Sequence, residues 1–389
     1  MIQKAIYLDN AATTAVNPLV LEAMTPYFNQ FYANPSSLHQ KGREARIAIE
    51  KSREQISGLL GADPREIVFT SGGTESDNLA VFGSAYANQS KGRHIITSRI
   101  EHHAVLNSCH HLEEQGFKVT YLPVDKAGSV MVNELEKSIK KETIFVSIMH
   151  SNNEVGTVQA MDEIAKVCAS RKVILHTDAV QSAGKIRFNL KKSNINLLSL
   201  TAHKLHGPKG VGILYIRKGT KVSPIQVGGH HEFNRRAGTE NTPGIVGLAK
   251  ALELAYKDME VTNKRILELR GRLRDGIINK VDEVKINGDL DGGIPHILNV
   301  SFKYVEGESI LLNLDSSGIC VSSGSACTSE SMEPSHVLSA MGVPVDIAHG
   351  SVRFSLSRET TREEIDFTIE TVTKVIKRLR EMSPLYKRR

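Results

Sequence analysis

The fold of this protein is decided by the stretch LSLTAHKLHGPKGVG, residues 198–212. The apolar run from Ile195 to Leu200 predicts a buried strand, and residues 211–216 predict a second strand after a turn rich in glycine and proline. Lys204 therefore lies in a turn between two predicted core strands. A lysine buried there is costly unless it is paired or chemically used, and lysine forms Schiff bases with carbonyl cofactors. On this stretch alone, a surface lysine in a loop is an equally good interpretation.

Length and composition indicate an ordinary globular protein of two domains. The chain has 389 residues, 24% of them charged and 40% hydrophobic, which is more than one small core accommodates. No apolar run approaches the length of a membrane span, and the N-terminus lacks the apolar region of a signal peptide, so we expect a cytoplasmic protein without a membrane segment. The net charge of +6 is mild for this length, and we expect no direct binding to nucleic acid.

Strands and helices alternate along much of the chain. Helices separate predicted strands at residues 67–69, 94–97, 119–122, 144–149 and 173–176. This alternation is typical of a mainly parallel sheet with helices on both faces. Such sheets bind ligands at the carboxyl ends of their strands.

A smaller C-terminal domain is expected after residues 244–280, which are predicted to form one long helix or two. Its predicted strands are residues 297–302, 320–321 and 352–356.

Polar side chains follow several predicted strands. Residues 70–76 combine glycines with the start of a helix, which suits a phosphate, although a plain helix cap is the simpler interpretation of this segment alone. His102 can stack on a planar ring or carry protons, although a lone histidine is more often structural. Asp178 ends an apolar strand and needs a cation, either a protonated pyridine nitrogen or a structural arginine. Gln181 can hydrogen-bond a neighbouring ring substituent. Together with Lys204, these residues describe a pyridoxal phosphate site.

The spacing of cysteine and histidine argues against a metal site. The four cysteines, Cys109, Cys168, Cys320 and Cys327, form no CxxC pair and no disulfide framework. Adjacent histidine pairs occur, but no carboxylate or cysteine falls at matching zinc spacing. We therefore predict no bound metal.

Longer motifs extend this pattern over nearly the whole chain. They are YLDNAATT at 7–14, NPSSLH at 34–39, TSGGTESDN at 70–78, NNEVG at 152–156, HTDAVQ at 176–181 and AHK at 202–204. The most diagnostic is SSGSACTS at 322–329, followed by EPSHVL at 333–338. In these motifs the chain resembles the cysteine desulfurases of the NifS/IscS type, in the class V aminotransferase group of pyridoxal phosphate enzymes. Its long cysteine loop resembles that of the group I branch.

The resemblance implies an α/β protein of pyridoxal phosphate fold type I. A large domain at 16–254 is expected to hold a mainly parallel sheet of the seven-stranded type with helices on both faces. A smaller α+β domain is expected from residues 1–15 and 255–389. It carries the cysteine loop at about 322–333, whose small and polar residues predict a mobile, exposed segment.

The resemblance also implies a role for each site residue. Lys204 holds the cofactor, Cys327 takes the sulfur, and Lys204 or His102 moves protons. The residues expected to contact the cofactor are Gly73, Thr74, Thr201 and His203 at its phosphate, His102 on its ring, Asp178 at its nitrogen, Gln181 at its phenolic oxygen, Asn153, and Thr239 at the phosphate of the other subunit. The residues expected at the substrate carboxylate are Asn153 and Arg353, with Asn34 nearby.

The implied reaction removes sulfur from L-cysteine and leaves L-alanine and a persulfide on Cys327. The implied partners are an iron–sulfur scaffold protein or a tRNA-thiolating enzyme, and the implied assembly is a homodimer. A role of Cys327 as a transient iron–sulfur ligand stays open. The alternatives on the same fold are a selenocysteine lyase and an aminotransferase, although an aminotransferase needs no thiol. A non-catalytic sulfur-relay subunit is a further alternative, against which the intact Lys204 argues.

Overall fold

The computed structural model of the protein describes residues 5–323, 334–384 and 386. Its strands are β1 Ile6–Tyr7, β2 Ile67–Thr70, β3 His94–Ser98, β4 Lys118–Leu122, β5 Thr143–Ser147, β6 Ile174–Asp178, β7 Leu197–Thr201, β8 Gly212–Ile216, β9 Val284–Asn287, β10 Ile297–Phe302, β11 Ile319–Cys320, β12 Ser322–Ser323 and β13 Ser351–Ser355. Its helices are α1 Pro18–Met24, α2 Pro26–Asn29, α3 Gln40–Leu60, α4 Gly73–Asn88, α5 His103–Glu114, α6 Val132–Ser138, α7 Met161–Ser170, α8 Thr242–Lys257, α9 Met259–Lys280, α10 Gly307–Asp315, α11 His336–Ala340, α12 Val345–Ala348 and α13 Arg362–Met382. None of the helices in these ranges is both long and apolar enough to cross a membrane.

The central sheet has seven strands in the order β2-β8-β7-β6-β5-β3-β4. Every neighbouring pair from β7 to β4 is parallel, whereas β8 runs antiparallel to both β7 and β2. The reversal at β8 follows from its short connection, residues 202–211, because a parallel strand needs a crossover of about a dozen residues or more. The prediction of a mainly parallel sheet is confirmed.

Helices cover both faces of this sheet, as the alternation predicts. On β2, Ile67 and Phe69 belong to one core and Val68 to the other, because successive side chains of a strand point to opposite faces. The first core also takes side chains from α3, α7 and α8, and the second takes them from α4 and α5. Since both faces are buried, the strands consist of nearly continuous apolar runs.

A second, antiparallel sheet in the order β12-β13-β10-β9 packs with α9, α10 and α13 around a separate core. Two of its strands, β10 and β13, are the predicted strands at 297–302 and 352–356 to within one residue. The predicted helical region proves to be two helices, α8 and α9, which meet at Asp258. Strand β9 was not predicted from the sequence. The domain boundary at residue 254 stays a prediction.

The N-terminal segment contacts elements of both sheets. Strand β1 pairs in parallel with β11, and the backbone N–H of Ala11 donates to Oγ of Ser355 at 2.9 Å. A few residues on, the backbone N–H of Thr14 donates to the carbonyl of His203 at 2.9 Å. Residues 8–14 therefore run from the end of β13 to the turn that follows β7.

Candidate active site

A cleft with a cavity volume of about 340 Å³ opens at the carboxyl ends of the parallel strands. The predicted site residues that line it are Gly73, Thr74, His102, Asn153, Asp178, Gln181, Thr201, His203, Lys204 and Arg353. Two others, Asn34 and Thr239, are exposed and do not line this cleft. Cys327 lies outside the described residues.

The start of α4 forms the first end of the cleft. The first N–H groups of a helix have no partner within the helix, so they can receive an anion. A side chain on Gly73 would place its Cβ 2.9 Å from Cγ2 of Val180, so Val180 would have to shift to accept it. Close by, Oγ1 of Thr201 donates to the carbonyl of Val211 at 3.1 Å. Nδ1 of His203 lies 3.1 Å from Oγ1 of Thr13.

The floor of the cleft is rich in carboxyl groups. Asp178 is buried at the end of β6, where its Oδ1 accepts from the N–H of Val180 at 2.8 Å. Burial raises its pKa to about 6, against the effects of that hydrogen bond and of the positive charge of Lys204. Asp77 is buried beside it, and burial and then the charge of Asp178 raise the pKa of Asp77. Among the described residues, Oδ1 of Asp77 has no hydrogen-bond partner.

A third carboxyl group lies in the same layer but does not line the cleft. Glu101 is fully buried, and it accepts from Oγ of Ser98 at 2.5 Å and from the N–H of Met149 at 3.0 Å. Burial raises its pKa to about 8.

Lys204 lies in the turn Ala202–Lys204, as predicted from its flanking strands. Its Nζ donates to the carbonyls of Ala11 and Ala12 at 2.7 and 2.5 Å. Lys185 stabilises this turn, because its Nζ donates to the backbone carbonyl of Lys204 at 3.2 Å. The amine of Lys204 is therefore directed into the cleft by residues that are distant in the sequence.

His102 caps α5, and its Nδ1 accepts from the N–H of Ala104 at 3.1 Å. The ring therefore carries its proton on Nε2 when neutral. Burial lowers the pKa of His102 to about 4, and the positive charge of Lys204 adds to this effect. His102 is thus an uncharged ring at neutral pH, and it can stack on an aromatic cofactor.

The opposite end of the cleft is formed by Arg353 of β13, which is buried. Its Nη1 donates to the carbonyl of Asn153 at 2.9 Å, and its Nη2 pairs with Oδ1 of Asp9 at 2.9 Å. Its Nε has no partner among the described residues. Beside it, burial raises the pKa of Glu154 to about 7, and Oε2 of Glu154 accepts from Oγ of Ser335 at 2.5 Å.

Several residues of the cleft were not singled out from the sequence. They are Asp77, Glu154 and His336, which line it, and Asp9, which pairs with Arg353. All four lie inside motifs that carry the resemblance, and this was the available signal. Their roles depend on contacts between segments far apart in the chain, which no local pattern contains.

Comparison with known proteins places this geometry in a family. A sequence profile of the family Aminotransferase class-V matches residues 6–367. The chain belongs to the class-V aminotransferase family. The protein is similar to one named cysteine desulfurase IscS from Dictyoglomus turgidum, with 50% identity over 383 residues, 98% of this chain and 97% of that protein. It is also similar to one of the same name from Methanosarcina thermophila, with 52% identity over 382 residues, 98% of this chain and 94% of that protein.

Solved structures resemble this member of the family along nearly its full length. A structure described as a NifS-like protein matches it with a TM-score of 0.91 at 41% identity, covering 96% of this chain and 100% of that chain. A structure of SspA in complex with cysteine matches with a TM-score of 0.81 at 38% identity, covering 92% of this chain and 100% of that chain. The predicted fold type is therefore confirmed, and the protein is an enzyme.

Proposed function

We propose that this protein is a pyridoxal phosphate-dependent cysteine desulfurase. The observation that carries the proposal is one cleft that joins the amine of Lys204, the buried carboxyl of Asp178 and the guanidinium of Arg353. The names of the relatives at about half identity support the same activity.

The residues present fit pyridoxal phosphate. The helix start at Gly73 offers free N–H groups to a phosphate. At the other side of the cleft, the buried carboxyl of Asp178 would receive a protonated pyridine nitrogen. When bound, the cofactor supplies an electron sink, which the charge of Asp178 maintains.

The chain's own residues then bind the substrate and move its protons. Arg353 keeps a buried Nε donor without a partner in the described chain, and this donor suits the carboxylate of an amino acid. Asn153 adjoins it. Lys204 would hold the cofactor through its amine, and this amine is placed to move a proton within the cleft. The neutral ring of His102 would cover the bound cofactor.

Cys327, which lies outside the described residues, is assigned the sulfur-accepting step. The bond between the β-carbon and the sulfur of L-cysteine breaks, and a bond forms between that sulfur and the sulfur of Cys327. The thiol form of Cys327 plus L-cysteine gives the persulfide form of Cys327 plus L-alanine. Atoms and electrons balance without an added oxidant or reductant.

The proposal extends to assembly and to sulfur delivery. The exposed position of Thr239 agrees with a role in the cleft of a second subunit. Phe28 and Leu38 are 61% and 88% exposed, and apolar side chains of this size support an interface. We therefore propose a homodimer, which sedimentation equilibrium tests. Delivery of the persulfide to an iron–sulfur scaffold or another acceptor, and a cytoplasmic location, stay predictions.

Mass spectrometry after brief exposure to L-cysteine tests the reaction. We expect one added sulfur atom on the Cys327 peptide. Cys109 and Cys168 are buried, and burial raises the pKa of both thiols, for Cys168 to about 12. Cys320, which is half-buried, is the internal comparison.

Two variants complete the test. Cys327→Ser should keep the colour of the cofactor and its change with L-cysteine, yet form no persulfide. Lys204→Ala should form neither persulfide nor alanine. Added sulfur found only on Cys320, Cys109 or Cys168, or alanine formed by Lys204→Ala, would overturn the proposal.

A further inference from the structure

We propose that His296 is a positioning residue that fixes the side-chain amide of Gln181 and turns it into a hydrogen-bond donor toward the cofactor. This inference rests on the proposed function, in which Gln181 meets the phenolic oxygen of pyridoxal phosphate. His296 itself does not line the cleft. It lies just before β10, behind Gln181, and is 2% exposed.

The contacts of Gln181 define the orientation of its amide. Its Oε1 lies 3.3 Å from Nε2 of His296, and its Nε2 donates to the carbonyl of Ala11 at 3.0 Å. A flipped amide would place Oε1 against the carbonyl of Ala11, so two acceptors would face each other. The amide nitrogen must therefore lie toward Ala11 and the amide oxygen toward His296.

This orientation determines the tautomer of His296. Because Oε1 of Gln181 accepts only, Nε2 of His296 must carry the proton. In the neutral imidazole the other nitrogen, Nδ1, carries a lone pair, and that atom is buried without a hydrogen-bond partner in the described chain.

The surroundings of His296 favour this neutral form. Burial holds the pKa of His296 well below its ordinary value, and the positive charges of Lys185, Arg353, Arg270 and Lys204 act in the same direction. His296 and Lys185 line a small cavity of about 60 Å³ behind the lysine turn. The histidine therefore stays an N–H donor to Gln181 across the neutral pH range.

The consequence in the cleft follows from counting donors and acceptors. An amide group offers one oxygen and two N–H bonds. His296 faces the oxygen and Ala11 accepts one N–H. The oxygen keeps a second lone pair, but it lies on the side of His296, which does not line the cleft, whereas the nitrogen lies on the side of Ala11, which does. The second N–H is therefore the group assigned to a cofactor oxygen, and this donation would lower the affinity of that oxygen for protons. Without His296, the amide oxygen loses this donor, and its orientation then depends on the hydrogen bond from the amide nitrogen to Ala11.

The test measures the cofactor's absorbance rather than turnover. The resting holoenzyme is titrated with pH in the absence of substrate, and the midpoint of the visible absorbance change is recorded. In His296→Leu we expect the midpoint to rise by roughly 0.5–1 pH unit, the equivalent of one hydrogen bond. Gln181→Leu should shift it in the same direction. The double variant should match Gln181→Leu alone, because His296 acts through Gln181.

Conservative and control variants exclude a general disturbance. His296→Gln carries an N–H at a similar reach and should restore the wild-type midpoint, and it also serves if His296→Leu does not fold. His150→Leu removes another buried histidine, whose Nδ1 is hydrogen-bonded to Oγ of Ser182 at 2.9 Å and which does not line the cleft. This variant should leave the midpoint of the absorbance change unmoved.

Two results would overturn the inference. One is an unchanged midpoint in His296→Leu while Gln181→Leu moves it. The other is an equal shift on removal of His296 with or without Gln181. Failure of the proposed function is a separate outcome, since the wild-type protein would then bind no coloured cofactor at all.

Discussion

The two ends of the cleft lack opposite kinds of partner: one end has buried carboxyl groups, and the other has a buried N–H donor. At the end of β6, the carboxyl of Asp178 is buried, and Oδ1 of its buried neighbour Asp77 accepts no hydrogen bond from a described residue. At the end of β13, Arg353 keeps a buried N–H donor that no described residue accepts. The first end needs a cation and the second needs an acceptor. A protonated pyridine ring satisfies the first, and the carboxylate of an amino acid satisfies the second.

The two deficits have different structural origins. The carboxyl layer arises from the parallel sheet, whose strand ends place polar side chains at one edge. The arginine comes from the antiparallel sheet and meets Asp9, 344 residues away in the chain. The cofactor end is thus built by neighbouring strands, whereas the substrate end depends on contact between segments far apart in the sequence.

The largest effect on turnover is expected from Asp178→Ala, which removes the carboxylate that would pair with a protonated pyridine ring. Turnover should fall more than 100-fold, the equivalent of roughly 2.7 kcal/mol of barrier, while the thermal unfolding profile stays cooperative. Asp77→Asn is the matched control, because burial raises the pKa of this neighbouring acid and asparagine keeps its shape. A loss in Asp178→Ala smaller than in Asp77→Asn would contradict the assigned roles of the two acids.

An intermediate effect is expected at the other end from Arg353→Leu. We expect kcat/KM for L-cysteine to fall about 10- to 100-fold, since hydrogen bonds to charged groups contribute about 1.5–3 kcal/mol. The affinity for cysteamine, which lacks the carboxylate, should stay unchanged, as followed by the cofactor's absorbance. If the variant loses affinity for L-cysteine and cysteamine equally, Arg353 does not bind the substrate carboxylate.

The smallest effect is expected from Glu101→Gln, and it concerns stability rather than chemistry. The native protein keeps a proton on Glu101 up to about pH 8, whereas the unfolded chain releases it near its ordinary pKa of 4.5. The wild type therefore loses stability as pH rises through this window, and glutamine cannot ionise.

At pH 9 the free energy of unfolding of Glu101→Gln should exceed that of the wild type by about 1–3 kcal/mol. The advantage should shrink toward pH 5. Guanidinium unfolding at pH 5, 7 and 9 measures it. Glu114→Gln, at a side chain that is 76% exposed, should show no such trend. A constant difference across pH would mean that Glu101 is ionised in the native protein.

The sequence was sufficient for features that depend on local pattern. The apolar runs around Lys204 predicted its turn, and the alternation of strands and helices predicted the parallel sheet. The direction of β8 and the existence of β9 were not predicted. The contacts Arg353–Asp9 and Gln181–His296 join residues 344 and 115 positions apart. The hydrophobic periodicity of the sequence does not predict these contacts, because they depend on how the two sheets pack.

The contacts of the N-terminal segment determine when, during synthesis, the active site can be completed. Ala11 and Ala12 hold the amine of Lys204, but the segment itself is fixed by Ser355. A ribosome adding about 5–20 residues per second reaches residue 355 roughly 20–70 s after residue 9. From residue 216 onward the nascent chain contains Lys204 and all seven strands of the central sheet, yet Ser355, which fixes the N-terminal segment, has not been made. We expect a growing chain to stay inactive until its last quarter has emerged from the ribosome.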